Sequence, residues 1–206
     1  MKKRLFLLFF TVVISTNAQS NFSQFRKLSR PIKIWIIFHP FKAKKALTIS
    51  KEVNKISDSI AKTDLLKGNG SSGQIDAFRH AYWMARMRQE LGKTAARSLG
   101  KAHEKDNYLT YKKRKLEDGV LPDKIASEMD LYNNEQGLKL ISKGSKISKK
   151  RLIYRIVNAI KTGKMKIIRK DNNGNFLTCK GEKITQKSLK GKWKNNKCLV
   201  KSNDIF

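Results

Sequence analysis

Apolar residues recur at helical spacing through most of the chain. Phe41, Ala43, Ala46, Leu47, Ile49, Val53, Ile56 and Ile60 predict an amphipathic helix over 41–60, with Pro40 where a first turn accepts it. A second helix is expected over 74–91, stopped by Gly92, and a third from Ala95 to about Tyr108 behind the capping residue Thr94. Pro122 opens a fourth, running to about Ser142, and Leu152, Ile153, Ile156, Val157 and Ile160 mark a fifth over 148–161. The short run 34–38, between Pro31 and Pro40, reads as a buried strand or a turn of irregular chain, and 66–73 as a flexible glycine-rich loop. That loop lacks the Gly-Lys-Ser/Thr ending of a phosphate-cradling P-loop.

After Gly163 the pattern changes. Residues 165–169 and 176–179 read as two strands around the turn Asn173-Gly174. The expected fold is therefore mainly α (α+β), a multi-helix bundle core with a small C-terminal β-hairpin appendage. Its parts are a helical domain over 19–162 and a basic, β-rich appendage over 163–206. Residues 1–18 carry the marks of a secretory signal: Lys2, Lys3 and Arg4, an apolar run over 5–14 broken only by Thr11, then small Thr16 and Ala18. The run is shorter than the roughly 20 residues a span needs. An exported protein, periplasmic or secreted, is the expectation. In that setting Cys179 and Cys198, the chain's two cysteines, are expected to pair as a disulfide rather than stay free thiols.

Charge adds one feature. The chain holds 46 Lys and Arg against 16 Asp and Glu, a formal net +30. Residues 19–63 carry 10 basic and 2 acidic groups, 64–142 carry 14 and 11, and 143–206 carry 19 and 3. Basic flanks around a nearly neutral centre suit an anionic polymer or membrane surface, or simply a solvated, lysine-rich exterior. No arginine or aromatic stripe accompanies them, so there is no specific nucleic-acid motif.

The neutral centre concentrates the chemistry. On a helical wheel, Asp76 and His80 share a sector with Trp83, Met84 and Met87, while Phe78, Ala81, Tyr82 and Ala85 make another apolar face. Residues 74–91 should thus form the central helix, with Asp76 and His80 pointing inward. His103 falls beside Ala95, Ala96 and Leu99, with Glu104 at the rim. Asp130, Asn133 and Asn134 share a sector with Ala126 and Gly137, whose small size admits a close helix neighbour.

Buried carboxylates and imidazoles are costly unless paired, hydrogen-bonded or metal-bound. Three readings follow. The groups can form a closed network that fixes helix register. They can bind a divalent metal (zinc, manganese or iron) through His80, His103 and Asp130, with Asn134 or Glu104 acting on bound water. Or His80 can act as a metal-free general base, its tautomer held by Asp130 or Asp76. The candidate catalytic set is His80, Asp76, Glu104, Asp130 and Asn134, with Arg79 as a candidate for an anionic substrate group. No Gly-x-Ser-x-Gly elbow is present, and both cysteines lie outside this region.

The motifs Gly73-Gln-Ile-Asp-Ala-Phe-Arg-His-Ala-Tyr-Trp-Met-Ala, Leu99-Gly-Lys-Ala-His-Glu-Lys and Glu128-Met-Asp-Leu-Tyr-Asn-Asn together resemble an uncharacterised family of exported bacterial proteins, a domain of unknown function. The surrounding chain, from His39 through Cys198, resembles its Bacteroidetes-type members. The resemblance implies that Asp76, Arg79, His80, His103, Glu104, Asp130 and Asn134 belong together, and it implies no activity. A weaker likeness runs from Arg79-His80-Ala81-Tyr82 to the catalytic helix of prokaryotic phospholipases A2, where an acid that helps bind calcium stands in place of Ala81. A hydrolase acting on an anionic envelope, lipid or phosphate-containing substrate is the leading expectation. Its alternative is a non-enzymatic envelope-binding protein.

Overall fold

The computed structural model describes residues 23, 25–68, 71–116 and 120–204; the expected signal segment, 1–18, lies outside them. The order of elements is α1 (Arg30–Phe38), α2 (Pro40–Ala61), α3 (Gln74–Leu91), α4 (Lys93–Lys112), α5 (Lys124–Lys139), α6 (Lys149–Lys161), β1 (Lys166–Ile168), the short α7 (Gln186–Leu189) and β2 (Leu199–Lys201). The protein is mainly helical with a small antiparallel sheet in its C-terminal region, as the periodicity indicates. No described helix is long and apolar enough to cross a membrane.

Helix α3 is the centre. It packs against α2, α4, α5 and α6, and Ala77, Phe78, Ala81, Tyr82, Met84, Ala85 and Met87 are all sealed from solvent. A helix apolar around most of its circumference is stable only when surrounded, so the sequence pattern and the position agree. The approach of α5 is set by Gly137: a Cβ there would lie 2.2 Å from the Ala81 carbonyl oxygen and 2.8 Å from its Cα. Bare backbone against bare backbone is what lets Asp130, two turns earlier on α5, face His80.

One expected element differs. Residues 34–38 belong to a helix, because Pro31 occupies its first turn, where the missing N–H costs nothing. A short apolar run cannot by itself distinguish strand from helix. Trp35 turns inward and donates from Nε1 to the Ala95 carbonyl and to Ser98 Oγ, each at 3.0 Å. Phe38, at the end of the same helix, is exposed.

The tail also departs in its pairing. The chain does reverse at Asn173-Gly174, with Asp171 accepting from the Asn173 and Asn175 backbone, and Lys170 bridges to Phe176. The strand partner of β1, however, is β2, in the register Lys166 with Lys201 and Ile168 with Leu199. The reason is burial: Met165, Ile167 and Ile168 are core residues, and Asn133 of α5 already pairs with the backbone N–H and carbonyl of Lys166, both at 2.9 Å. Cys179 and Cys198 form the expected disulfide.

Candidate functional site

Asp76 lies in the first turn of α3, where the positive end of the helix dipole favours a carboxylate. Its Oδ2 accepts from the Ser72 backbone N–H at 2.7 Å, and its Oδ1 from Arg79 at 2.6 Å. One turn on, His80 presents Nε2 to two carboxylates at once, 3.5 Å from Asp76 Oδ1 and 3.3 Å from Asp130 Oδ1. All three side chains are buried. Burial, then the charges of Arg79 and His103, push the His80 pKa well below its ordinary value; Asn134 acts weakly in the opposite direction. The lowered pKa favours the neutral imidazole, the form that can coordinate a metal or accept a proton, against the two carboxylates beside Nε2, which favour the charged one.

Asn134 stands on α5 one turn after Asp130. It approaches His80 closely enough to favour the charged ring, yet neither polar atom of its buried amide has a partner at hydrogen-bonding geometry. Its neighbour Asn133 is different in kind, since its side chain is consumed by the bonds to Lys166.

The other expected residues take these places. Arg79, paired with Asp76, lines a cleft beside His80. His103 lines the same cleft, with its ring centroid 6.2 Å from that of His80 and edge-on to Trp83 at 5.5 Å. Glu104 is buried on α4 and accepts from Asn107 at 3.3 Å. His39 stacks on Trp35 at 4.7 Å and is not part of the Asp76, His80 and Asp130 group.

Asp76, His80 and Asp130 each offer a ligand atom within 4.8 Å of the others, so the group could hold a metal ion. Donors bound about 2.0 to 2.1 Å from a tetrahedral ion stand about 3.4 Å apart, a spacing with which the 3.3 and 3.5 Å around Nε2 are compatible, as they are with hydrogen bonds from the ring. His103 lies outside this group, and Asp76 stands inside it.

The cleft itself has no counterpart in the sequence reading. It holds about 1480 Å³ and is walled by apolar residues of α1 and α2, among them Ile32, Ile36, Ala43 and Leu47, with Arg79, His80 and His103 on its opposite side. Its walls come from residues that a wheel assigns merely to the inner faces of two helices. A void left between such faces has no local sequence signal.

Fold and site together define a helical protein with a buried Asp-His-Asp cluster beside a large, mostly apolar cleft. Residues 33–164 match the family described as Domain of unknown function (DUF6973), and the chain belongs to it. Comparison with curated proteins and with solved structures gave no match.

Proposed function

We propose that the protein is an exported hydrolase in which Asp76, His80 and Asp130 hold a divalent cation that activates water at the edge of the cleft. The observation that carries this is the meeting of one imidazole and two carboxylates, each with a ligand atom within 4.8 Å of the others, with His80 reaching the cavity. Nitrogen and oxygen donors suit zinc, manganese or iron. Asn134, beside His80, would orient the imidazole or a bound water. A cation held there would supply an activated water for attack on an ester carbon or phosphorus, and His103, on the cleft wall with its ring centroid 6.2 Å from that of His80, would be the base for its proton. Arg79, which lines the cleft, is the candidate for meeting an anionic substrate group, and the apolar walls suit an acyl chain. The substrate class that fits is an anionic, acyl-bearing ester or phosphoester of the cell envelope. The Cys179–Cys198 disulfide supports an oxidising, extracytoplasmic location.

The test is elemental analysis of protein purified without chelator, alongside hydrolysis of acyl-ester and phosphodiester probes. About one divalent ion per chain is expected in the wild type, with metal and hydrolysis both lost in Asp130→Asn and His80→Gln. Hydrolysis without metal would leave His80 as a general base held by Asp130. Absence of both would make the cluster a register-fixing network and the protein a binding protein.

A further inference from the structure

Helix α1 is apolar on both faces, and only one of them is used. Trp35 is buried, and Ile32 and Ile36 pack against the core. The opposite face carries Ile34, 43% exposed, Ile37, 65%, and Phe38, 77%. These fall at i, i+3 and i+4, one stripe along the helix. Past the His39-Pro40 corner the stripe continues into Phe41, which is 100% exposed. Scattered exposed apolar residues are ordinary, but four large ones joined at one corner mark an interaction surface.

The corner is built to hold them out. His39 stacks on Trp35 and its Nδ1 lies 3.0 Å from the Trp35 carbonyl oxygen. Trp35 is itself anchored to α4, and Lys42 bonds the Leu91 carbonyl at 3.1 Å. Phe38 and Phe41 thus project from a braced turn.

The surrounding charge selects the partner. From residue 25 to residue 51 there are eight basic side chains and no acidic one. Lys45 is paired with Glu90 of α3 at 3.2 Å, which leaves seven basic groups without an ion pair among the described residues. An apolar tip on a strongly basic segment matches a surface with anionic headgroups over an apolar interior. We infer that the Ile34, Ile37, Phe38 and Phe41 corner is a wedge that seats the protein on an anionic phospholipid bilayer. The wedge also adjoins the cleft, since Ile36, Pro40, Lys44 and Leu47 of the same two helices line it. The inference stands without the hydrolase reading, because binding is measured without turnover.

The test is co-sedimentation with vesicles of pure phosphatidylcholine and of an equimolar mixture with phosphatidylglycerol. Wild type is compared with Phe38→Ser/Phe41→Ser and with Lys33→Glu/Lys44→Glu, all prepared with the same N-terminus. Both aromatic rings are already in water, so the melting temperature and metal content should not change. Expected is preferential binding of the wild type to the anionic vesicles, falling about tenfold or more in the aromatic variant and several-fold in the charge variant or in high salt. No binding by the wild type would overturn the inference. So would undiminished binding by the aromatic variant, since lysine attraction alone would then account for it. A wild-type dimer that the aromatic variant dissolves, with vesicle binding unchanged, would assign the corner to a second copy of the chain instead.

Discussion

Replacing Gly137 by Ala tests whether the contact of α5 with α3 sets the site. Two effects oppose each other. Alanine favours a helix interior over glycine by about 1 kcal/mol. Against this, its Cβ would sit 2.2 Å from the Ala81 carbonyl oxygen, where ordinary contact begins at 3.4 Å. The helices must part locally by about 1.2 Å, the difference of those two distances. The atoms in the way are backbone, so no rotamer relieves the clash. Overpacking of this kind costs about 3 kcal/mol, leaving a net loss of about 2 kcal/mol. For a chain of this length that lowers the melting temperature by roughly 4–8 °C. Asp130 moves with α5, so the 3.3 Å approach to His80 should open and bound metal should fall as well. The matched control is Gly100→Ala, whose Cβ meets the flexible Met84 sulfur at 3.2 Å and the Asn134 Nδ2 at 3.3 Å; it should stay within about 1 kcal/mol of wild type. A Gly137→Ala protein as stable as wild type in differential scanning calorimetry would refute the reasoning.

Other outcomes follow from the same contacts. Chelation should lower the melting temperature of wild type by about 5 °C or more, as linkage to a tightly bound ligand requires, and leave His80→Gln unmoved. Glu52 accepts from Arg86 at 3.0 Å, Tyr82 at 3.2 Å and Lys149 at 2.7 Å. Burial alone would raise its pKa, but the bonds from Lys149 and Arg86 win and hold it below the usual carboxylate range. Its contribution is therefore complete above the unfolded pKa and lost as pH falls through the folded one. Glu52→Gln should lose about 2 kcal/mol at neutral pH and show a shallower decline in stability below about pH 4.5, read by urea unfolding across pH. Reducing Cys179–Cys198 frees a constraint between residues 19 apart and should cost about 3 kcal/mol; an unchanged melting temperature in reductant would contradict this.

Helix α3 was readable to the residue because two local signals coincide there: a periodic pattern on two faces, and Gly92 in a left-handed conformation that stops it. The inward sector of Asp76 and His80 follows from spacing alone, and small Gly137 announced a close helix neighbour. Local pattern could not say which inward groups would meet. Asn133 and Asn134 are equivalent on a wheel, yet one is spent on β1 and the other faces His80, a division made by the strand behind α5. The pairing of β1 with β2 was hidden for the same reason. The Asn-Gly turn reports only a local reversal, whereas the burial of Met165, Ile167 and Ile168 against the helices decides which strand lies beside them.

The site also depends on chain beyond the matched family region. Ser72, whose backbone N–H holds Asp76, adopts a positive φ of 68°, a conformation unfavourable for a residue with a Cβ. Such a turn persists only when its surroundings overdetermine it. Here the Ser72 carbonyl accepts from the Ile168 N–H of β1 at 2.9 Å, Lys170 reaches the Ser71 carbonyl at 3.2 Å, and Gln74 donates to the Ser202 carbonyl at 2.7 Å. All three partners lie after residue 164, the end of the family match. The β sheet therefore acts as a brace on the loop that aims Asp76, and β1 carries a second brace to α5 through Asn133. A single strand thus ties the helices bearing Asp76 and Asp130 to one frame, which is how two carboxylates from separate helices come to stand at matched distances from one imidazole.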